Sequence, residues 1–397
     1  MVIINGKSHP DKIYQRCTKC IADNTIPGIS FKTDGECSLC DFHEELCKLY
    51  PENEEALTNL DKKINKIKLE GKGKKYDCIV GLSGGRDSTY LLYLAVRVWK
   101  LRPLAVHFND GFDNPTAGEN MLNAVRILGV DLRTITSDFR ECKDLKIMDL
   151  KASTPMLNNG TDVGIGSSLY GVAYKEKIKT ILYGQSFRTE GIRPISWAYF
   201  DGDFLRSQHK RFGSYPLRKW EPNNPGYNLG IKEMLFYSVA HRIKTFAPFY
   251  YYPYVRETAD KIISEELEWV YPGAHYYDDL YWSLITYVHR TKFNIDFRLI
   301  AYSALIRSGQ MKREDAINSV KEPYVLEDEK VINLCIKRLG LERKEFDNYM
   351  KLPPKDFWEY PNSYKIMRTF KLPIWALSRL GIFTKVVYAK YFSLPYK

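Results

Sequence analysis

The 397-residue sequence has no apolar run long enough to cross a membrane, no stretch dominated by proline, glycine or serine, and no internal repeat. Its first residues, MVIINGKSHPDKIYQRC, lack the apolar core of a secretion signal. Because a spanning helix needs about 18 to 20 apolar residues, these absences argue against membrane-spanning, secreted, repetitive and disordered classes. We expect a globular cytoplasmic protein.

The composition indicates a folded chain with more than one module. Hydrophobic residues make up 44% and charged residues 27% of the sequence, as is typical of globular domains. The length predicts about two domains with smaller appendages. A formal net charge of +11 favours a polyanionic partner, which could be nucleic acid, an anionic membrane surface or a nucleotide-linked metabolite.

The sequence divides into four regions by pattern. Residues 1–50 are rich in cysteine, and residues 51–75 carry apolar side chains at helical spacing, which predicts a linker helix. In residues 76–196 short apolar runs alternate with helical stretches, which predicts an α/β fold with a doubly wound parallel sheet. Residues 197–397 begin with an aromatic-rich segment and continue as amphipathic helices, so we expect a mainly helical substrate or partner region.

Four of the eight cysteines form two close pairs. The pairs Cys17–Cys20 and Cys37–Cys40 are separated by sixteen residues, a spacing typical of a metal site with four cysteine ligands. Four thiolates complete the tetrahedral shell of Zn²⁺, so we predict a structural zinc knuckle. A redox CxxC motif is the alternative, but such motifs occur singly at the end of a strand. The remaining cysteines are predicted to be small buried residues: Cys47, Cys78, Cys142 and Cys335.

The segment YDCIVGLSGGRDSTYLLYL carries the most informative motif. A short apolar strand runs into SGGRDS at 83–88, and a helix begins near Thr89. Backbone amides of such a glycine-rich loop, the hydroxyls of Ser83 and Ser88 and the positive end of the helix dipole predict an anion cradle. The loop lacks the spacing and the lysine of a Walker A motif. A plain turn between strand and helix is the alternative.

The SGGRDS string resembles the SGGxDS signature of the PP-loop ATP pyrophosphatases, which cleave ATP between the α and β phosphates and pass AMP to a substrate oxygen. Two later segments strengthen the resemblance. HFND at 107–110 stands at the next strand end, where this superfamily packs adenine, and LYGQSFRTE at 182–190 resembles the GTxNRSE stretch of NAD synthetase. Gly184, Arg188 and Glu190 match that stretch, whereas Gln185 and Phe187 depart from it.

The resemblance implies roles for individual residues. Asp87 and Glu190 would hold Mg²⁺, which is usually bound by one or two carboxylates and by phosphate oxygens. An ordinary surface charge is the alternative for Glu190. Asp87, Ser88 and Arg188 would be catalytic. ATP would contact the loop and the two later strand ends through Ser83, Gly84, Gly85, Arg86, Asp87, Ser88, His107, Phe108, Asn109, Gly184 and Gln185.

A second glycine-rich stretch, NNGTDVGIGSS at 158–168, precedes a helix predicted from Leu169 to Lys179. Its glycines and hydroxyls are typical of a second phosphate or substrate loop. They are equally typical of an ordinary helix N-cap region. The sequence leaves both interpretations open.

Most of the chain resembles the N-acetyl sugar amidotransferase family of surface-polysaccharide gene clusters, in the knuckle, the loop, YGQSFRTEG and the tract FNIDFRLIAYSALIRSGQMKREDAI. The resemblance implies an AMP-forming enzyme that converts an acetamido group of a nucleotide-linked sugar, such as a UDP-sugar, into an acetamidino group. The pathway would be that of LPS O-antigen or a related surface glycan. No glutaminase nucleophile is evident, so a separate glutaminase subunit would supply ammonia.

PP-loop tRNA thiolation is the alternative function. It commonly uses active-site cysteines or an iron–sulfur cluster, and the cysteines outside the knuckle lack paired spacing. We therefore expect no stable complex with nucleic acid. A non-catalytic adaptor is disfavoured because the SGGRDS loop is complete.

The tail from Met367 onward mixes aromatic and aliphatic residues with cations and contains almost no acid. It could make peripheral contact with a membrane interface through its apolar side. It could instead pack on the protein as a terminal helix or clasp a partner, since aromatic side chains are usually buried.

Overall fold

The computed structural model describes residues 1–274 and 277–379, together with Tyr388, Tyr391 and Phe392. Within these residues no helix is both long and apolar enough to cross a membrane. Most of the tail from residue 380 onward lies outside the described residues.

A five-stranded parallel sheet lies at the centre of the molecule. The strands in chain order are β1 Val2–Ile4 and β2 Lys7–His9, which pair as a separate antiparallel hairpin, then β3 Cys78–Gly81, β4 Pro103–Asn109, β5 Leu132–Thr136, β6 Thr180–Leu182 and β7 Lys244–Phe246. The sheet order is β5-β4-β3-β6-β7, and every neighbouring pair is parallel. The predicted doubly wound parallel sheet is confirmed.

Both faces of this sheet are buried. On β3, Ile79 points into a core with Leu104 and Ile181, whereas Val80 points to the opposite core. Alternate side chains of a strand face opposite sides, and a strand covered on both faces is apolar at every position. The run CIVG, which is not alternating in polarity, therefore forms the central strand.

Helices cover the two faces. The helices of the first half of the chain are α1 Ser38–Leu49, α2 Glu54–Glu70, α3 Arg86–Tyr93, α4 Pro115–Leu128, α5 Phe139–Ala152, α6 Asn159–Lys175, α7 Ile195–Ala198 and α8 Gly202–Phe212. One core takes side chains from α2, α3 and α4 on the Val80 face, and the other takes side chains from α6 on the Ile79 face.

Local sequence explains where these helices begin and end. Asn53 caps α2 by accepting a hydrogen bond from the amide of Ala56, and Asn114 caps α4 just before a proline at the first helical position. Helix α4 ends at Gly129, whose φ of +64° is the left-handed conformation typical of a helix terminus. The predicted linker helix thus spans Glu54–Glu70.

The fifth strand comes from the aromatic-rich segment beyond residue 196, which gave no clear pattern in the sequence. Strand β7 has only three residues, too few to show a period. It lies at the edge of the sheet and is held there by backbone hydrogen bonds. The amide of Lys244 donates to the carbonyl of Lys179, and the amide of Tyr183 donates to the carbonyl of Phe246. The sheet therefore extends past the boundary that the sequence suggested.

The C-terminal region is mainly helical, as predicted. Its helices are α9 Ile231–Leu235, α10 Arg256–Leu267, α11 Tyr281–Val288, α12 Arg298–Arg307, α13 Arg313–Lys321, α14 Glu329–Arg338, α15 Arg343–Met350, α16 Tyr364–Thr369 and α17 Lys371–Arg379. Single π-helical turns continue α3, α9 and α11 over Leu94–Val98, Phe236–Ala240 and His289–Phe293, and 3-10 turns span Pro248–Tyr250 and Phe357–Glu359.

Truncating Leu91 tests the core between the sheet and α3. Leu91 is fully buried there, so Leu91→Ala should lower the free energy of unfolding by about 2 to 5 kcal/mol, measured by urea denaturation. Leu69→Ala is the matched control because Leu69 is 72% exposed, and its effect should stay within about 0.5 kcal/mol. Equal losses in both variants would contradict this packing.

Candidate functional site

The sheet order creates a crevice between β3 and β6. From β3 the chain moves outward to β4 and β5, and it then returns to the other side of β3 to form β6 and β7. In doubly wound sheets such a reversal leaves a ligand crevice at the carboxyl ends of the two central strands. The loop 83–88 follows β3, and residues 183–190 follow β6, so both segments reach this crevice.

The loop 83–88 is held in a compact turn by its own hydroxyl groups. The backbone amide of Ser83 donates to Oγ of Ser88 over 3.1 Å, and the two hydroxyl oxygens are also 3.1 Å apart. The amide of Gly85 donates to Oγ of Ser83, and α3 begins immediately afterwards. The turn, two hydroxyls and a helix N-terminus therefore converge, as an anion cradle requires.

Two glycines permit close backbone contacts around this loop. Gly84 has a φ of +79°, and a Cβ atom built on it would lie 1.9 Å from the carbonyl oxygen of Ala117 in α4. A Cβ on Gly184 would lie 2.9 Å from the carbonyl oxygen of Asp87. Any larger side chain at these positions would push the loop away from α4 or from the end of β6.

A cavity of about 310 Å³ opens at this crevice. Most of the residues for which the sequence predicted ATP or magnesium binding line it: Ser83, Gly85, Arg86, Asp87, Ser88, His107, Phe108, Gly184, Gln185 and Glu190. The tertiary structure thus brings three separate segments of the sequence to one cavity.

Three predicted site residues lie elsewhere, and Arg188 is the main correction. Its buried guanidinium donates to the backbone carbonyls of Tyr50 and Tyr250 and pairs with Glu52 over 3.1 Å. Arg188 therefore fastens the segment after α1 to the body and does not line the cavity. Gly84 is part of the loop but faces α4, and the side chain of Asn109 accepts a hydrogen bond from the amide of Gly111.

Asp87 and Glu190 are two carboxylates that face the same cavity. Burial raises the pKa of Glu190 to about 8, and the nearby charge of Asp87 contributes to the rise. Burial also raises the pKa of Asp87, which accepts a hydrogen bond from the phenol of Tyr254. Two buried carboxylates that repel each other are a suitable donor set for Mg²⁺, a hard cation that prefers oxygen ligands.

The cavity also contains acidic residues to which the sequence analysis assigned no role. Asp110, Asp113, Asp278 and Asp279 all line it. Asp278 approaches Gly85 of the loop closely, and Asp113 forms an isolated β-bridge with Asp279. Burial raises the pKa of Asp278, and it raises the pKa of Asp279 still further. The adjacent acids at 278–279, which lie just before α11, were the available signal in the sequence.

His107 is paired with one of these acids. Its Nε2 lies 2.9 Å from a carboxylate oxygen of Asp113, and its Nδ1 lies 3.0 Å from the carbonyl oxygen of Leu82. Burial alone would lower the pKa of His107, but the hydrogen bond and charge of Asp113 outweigh it, so the pKa is raised. Because both neighbours are acceptors, this geometry favours the imidazolium form.

A buried ion pair supports the wall of the cavity. Nζ of Lys146 lies 2.8 Å from a carboxylate oxygen of Asp110, and both side chains are almost fully buried. The same ammonium group donates to Asn158 and Thr161, and Thr161 donates to Asp110 over 2.6 Å. All three available protons of Lys146 are used, so its role is to hold cavity-lining residues in position.

The stretch 158–168 belongs to α6, which begins at Asn159, ten residues before the predicted start. The stretch is therefore part of the helix itself, and it forms neither a separate phosphate loop nor a helix N-cap region. Its helical residues Thr161, Asp162, Ile165 and Ser168 nevertheless line the cavity. The high glycine content concealed a helix that is stabilised by burial between the sheet and neighbouring elements.

The four knuckle cysteines form one cluster. Their sulfur atoms all lie within 4.8 Å of one another, and the Cys17–Cys40 and Cys20–Cys37 pairs are 3.8 and 3.7 Å apart. A tetrahedral ion with metal–sulfur bonds of about 2.3 Å requires sulfur separations of roughly 3.8 Å. The cluster therefore fits a metal ion with four thiolate ligands.

The knuckle is docked on the C-terminal helices. The guanidinium of Arg313 donates to the carbonyls of Cys17 and Cys20, and the amide of Ile21 donates to the hydroxyl of Ser303. The cysteines also share a hydrophobic core with α11 and α12. A metal bound there would stabilise the contact between the knuckle and these helices.

Substituting Gly84 tests the contact between the loop and α4. Gly73 is the matched control because it has the same φ of +79° but no atom within 4 Å of its Cβ position. Alanine at either position should cost about 1 kcal/mol for the left-handed backbone. Gly84→Ala should lower the free energy of unfolding in urea by roughly 1 to 3 kcal/mol more. Equal losses would show that the loop can leave α4 freely.

Substituting Cys20 tests the metal cluster. Elemental analysis of the purified protein should find one zinc ion per chain, and Cys20→Ser should remove it because a three-thiolate site is incomplete. Cys47→Ser is the control, since Cys47 lies outside the cluster. Iron with acid-labile sulfide in place of zinc, or unchanged metal in Cys20→Ser, would contradict the prediction.

Comparisons with known proteins concern different parts of the chain. Residues 273–372 match the family of WbpG-like LPS biosynthesis proteins, C-terminal domain. Uncharacterized protein MJ1599 of Methanocaldococcus jannaschii is 36% identical over 94 residues, which are 24% of this chain and 31% of that protein. The match therefore spans less than a third of the length of this curated relative.

Two solved structures can be superposed on much of the chain. U34-tRNA thiolase NcsA from Methanococcus maripaludis, with its 4Fe-4S cluster, aligns with a TM-score of 0.31 and 16% identity over 84% of this chain and 92% of its own. NH3-dependent NAD synthetase from Campylobacter jejuni, in complex with nitrate, aligns with a TM-score of 0.28 and 15% identity over 68% and 98%.

The family match covers the region that supplies Asp278 and Asp279 to the cavity. It confirms the resemblance to surface-polysaccharide proteins that the motifs indicated. Residues 273–372 are therefore similar to the C-terminal domain of WbpG-like LPS biosynthesis proteins.

Proposed function

We propose that this protein is an ATP-dependent amidotransferase of LPS or related glycan biosynthesis. It would adenylate the acetamido oxygen of a nucleotide-linked N-acetyl sugar and replace that oxygen with ammonia. The observation that carries the proposal is that the SGGRDS loop and Asp278–Asp279 of the LPS biosynthesis domain line one cavity. The proposed nucleotide loop and two acids of the family-matched region therefore meet where a reaction could occur.

Two steps account for the exchange. The amide oxygen attacks the α-phosphorus of ATP, and pyrophosphate leaves. Ammonia then adds to the activated carbon, AMP departs with the former amide oxygen, and a proton is released. An amide carbon is a poor electrophile, so attachment of AMP to its oxygen makes nitrogen substitution feasible. The partly enclosed cavity would limit hydrolysis of the activated amide.

The residues of the loop would bind and orient the triphosphate. The amides at the N-terminus of α3 and the hydroxyls of Ser83 and Ser88 would donate to phosphate oxygens. Asp87 and Glu190 would hold Mg²⁺, which when bound neutralises charge on the departing pyrophosphate. His107, whose pKa is raised by its contact with Asp113, would contribute a positive charge to the cavity.

The cysteines support an external source of ammonia. Burial raises the pKa of each thiol outside the knuckle: Cys47, Cys78, Cys142 and Cys335. Among the described residues that line the cavity there is no cysteine. A glutaminase nucleophile and a sulfur-transferring thiolate both need an exposed, activated cysteine. These observations favour a separate glutaminase subunit and weigh against tRNA thiolation.

The direct test combines ATP, ammonium and candidate UDP-N-acetyl sugars with the purified protein. Mass spectrometry should detect exchange of oxygen for NH in the sugar, with AMP and pyrophosphate formed in equal amounts. Asp87→Asn and Glu190→Gln should each lower the rate at least about a hundredfold, because the metal-assisted step loses several kcal/mol. Asp315→Asn, an exposed acid on α13, should leave the rate unchanged.

Different results would contradict different parts of the proposal. Release of orthophosphate, or nucleotide bound away from the loop, would overturn the reaction. Use of glutamine by the protein alone would overturn the separate glutaminase. Tight tRNA binding that collapses with added salt would favour thiolation, because such binding is dominated by phosphate contacts.

A further inference from the structure

The last described helices expose apolar side chains on an otherwise ordinary surface. Ile366 is 53% exposed, Phe370 53% and Leu372 77%. These three residues lie within seven positions of one another, at the junction of α16 and α17. Surface helices normally bury their apolar side and expose a polar one, as α2 does by burying Leu60 and Ile64. A cluster of this kind indicates an interaction surface.

Cations surround the same apolar side chains. Lys365, Arg368 and Lys371 are all exposed. No aspartate or glutamate follows Glu359 in the sequence, whereas seven lysines and arginines do. A surface that combines exposed apolar side chains with cations and no acid has the composition of helices that lie in a bilayer interface.

The base of this surface is fixed to the body of the protein. The hydroxyl of Ser363 donates to a carboxylate oxygen of Asp203 over 2.6 Å. The ring of Tyr364 packs on Phe357 and Tyr199, with ring centroids 5.3 and 5.9 Å apart. The exposed side chains therefore project from a segment that is anchored to the body of the protein.

We propose that the terminal helical surface, residues 365–376, binds the surface of an anionic lipid bilayer. Helix α17 has nine residues and is about 14 Å long, which is about half the hydrocarbon thickness of a bilayer, so it would lie on the membrane and not span it. Two of the three cations of this surface, Lys365 and Lys371, are lysines. Lysine is depleted in protein–protein interfaces, whereas it contributes directly to binding of anionic lipid.

Binding of this kind does not depend on the reaction proposed above. Flotation of the full-length protein should recover it with vesicles in which about a third of the lipid is phosphatidylglycerol, and not with phosphatidylcholine alone. Added salt should weaken the binding because exposed charges are screened. The triple variant K365Q/R368Q/K371Q should bind on the order of a hundredfold more weakly, since each cation contributes about a fivefold factor.

Two matched control variants distinguish binding through this surface from an effect of the total charge or of exposed apolar side chains elsewhere. K62Q/K66Q/K72Q removes the same charge from exposed positions on and just after α2, and it should bind vesicles almost as well as the native chain. I366S/F370S/L372S should lose binding, whereas serine at the exposed positions Ile13, Leu69 and Val270 should not.

Three results would overturn the proposal. The first is absence of native binding to the anionic vesicles, and the second is an equal loss in the α2 charge variant. The third is self-association or complex formation with a glutaminase that is lost in I366S/F370S/L372S while vesicle binding persists. Turnover of ATP should be unchanged in all these variants, so failure of membrane binding and failure of the proposed reaction remain distinguishable.

Discussion

The close approach of three backbone segments at the carboxyl ends of β3 and β6 is the constraint on which the candidate site depends. Gly84 brings the loop against the first turn of α4, and Gly184 brings the end of β6 against Asp87. Because the loop is confined on two sides, Ser83 and Ser88 can bond to each other and keep the turn compact. The cavity, its carboxylates and the helix N-terminus all take their positions from this contact.

The charged side chains that line the cavity are mainly acidic, whereas the chain as a whole carries a net positive charge. The protein carries a net charge of +11, yet seven carboxylates line the cavity. Arg86 is the single lysine or arginine among the described lining residues, and Asp260 holds its guanidinium in an ion pair. A triphosphate could enter such a site only with cations, which fits the predicted magnesium. The positive surplus must therefore lie outside the cavity, as it does on the terminal helical surface.

The N-terminal knuckle is structurally linked to helices of the C-terminal region. The knuckle packs on α12 and α13, and the segment before α11 carries Asp278 and Asp279 into the cavity. A metal in the knuckle would therefore stabilise the same helical region that completes the site. A metal ion held there by four thiolates would have no catalytic position, because the thiolates would fill its coordination shell.

The sequence by itself determined the elements whose chemistry is local. The CxxC spacings predicted the cysteine cluster, the strand–SGGRDS–helix pattern predicted the loop, and alternating apolar runs predicted the parallel sheet. These features can be recognised from the sequence alone because each pattern is formed by residues that are close together in the chain.

Only the tertiary structure decided which distant residues share the cavity. Arg188 matched a motif but turns toward Tyr50 and Tyr250, because buried carbonyls of other segments compete for its guanidinium. Asp278 lines the cavity and Lys146 supports its wall, although no motif marks either residue. Strand β7 and the start of α6 also depended on burial against elements far away in sequence. A local sequence pattern is compatible with several conformations and side-chain positions. Packing against residues that are distant in the sequence decides which of them forms.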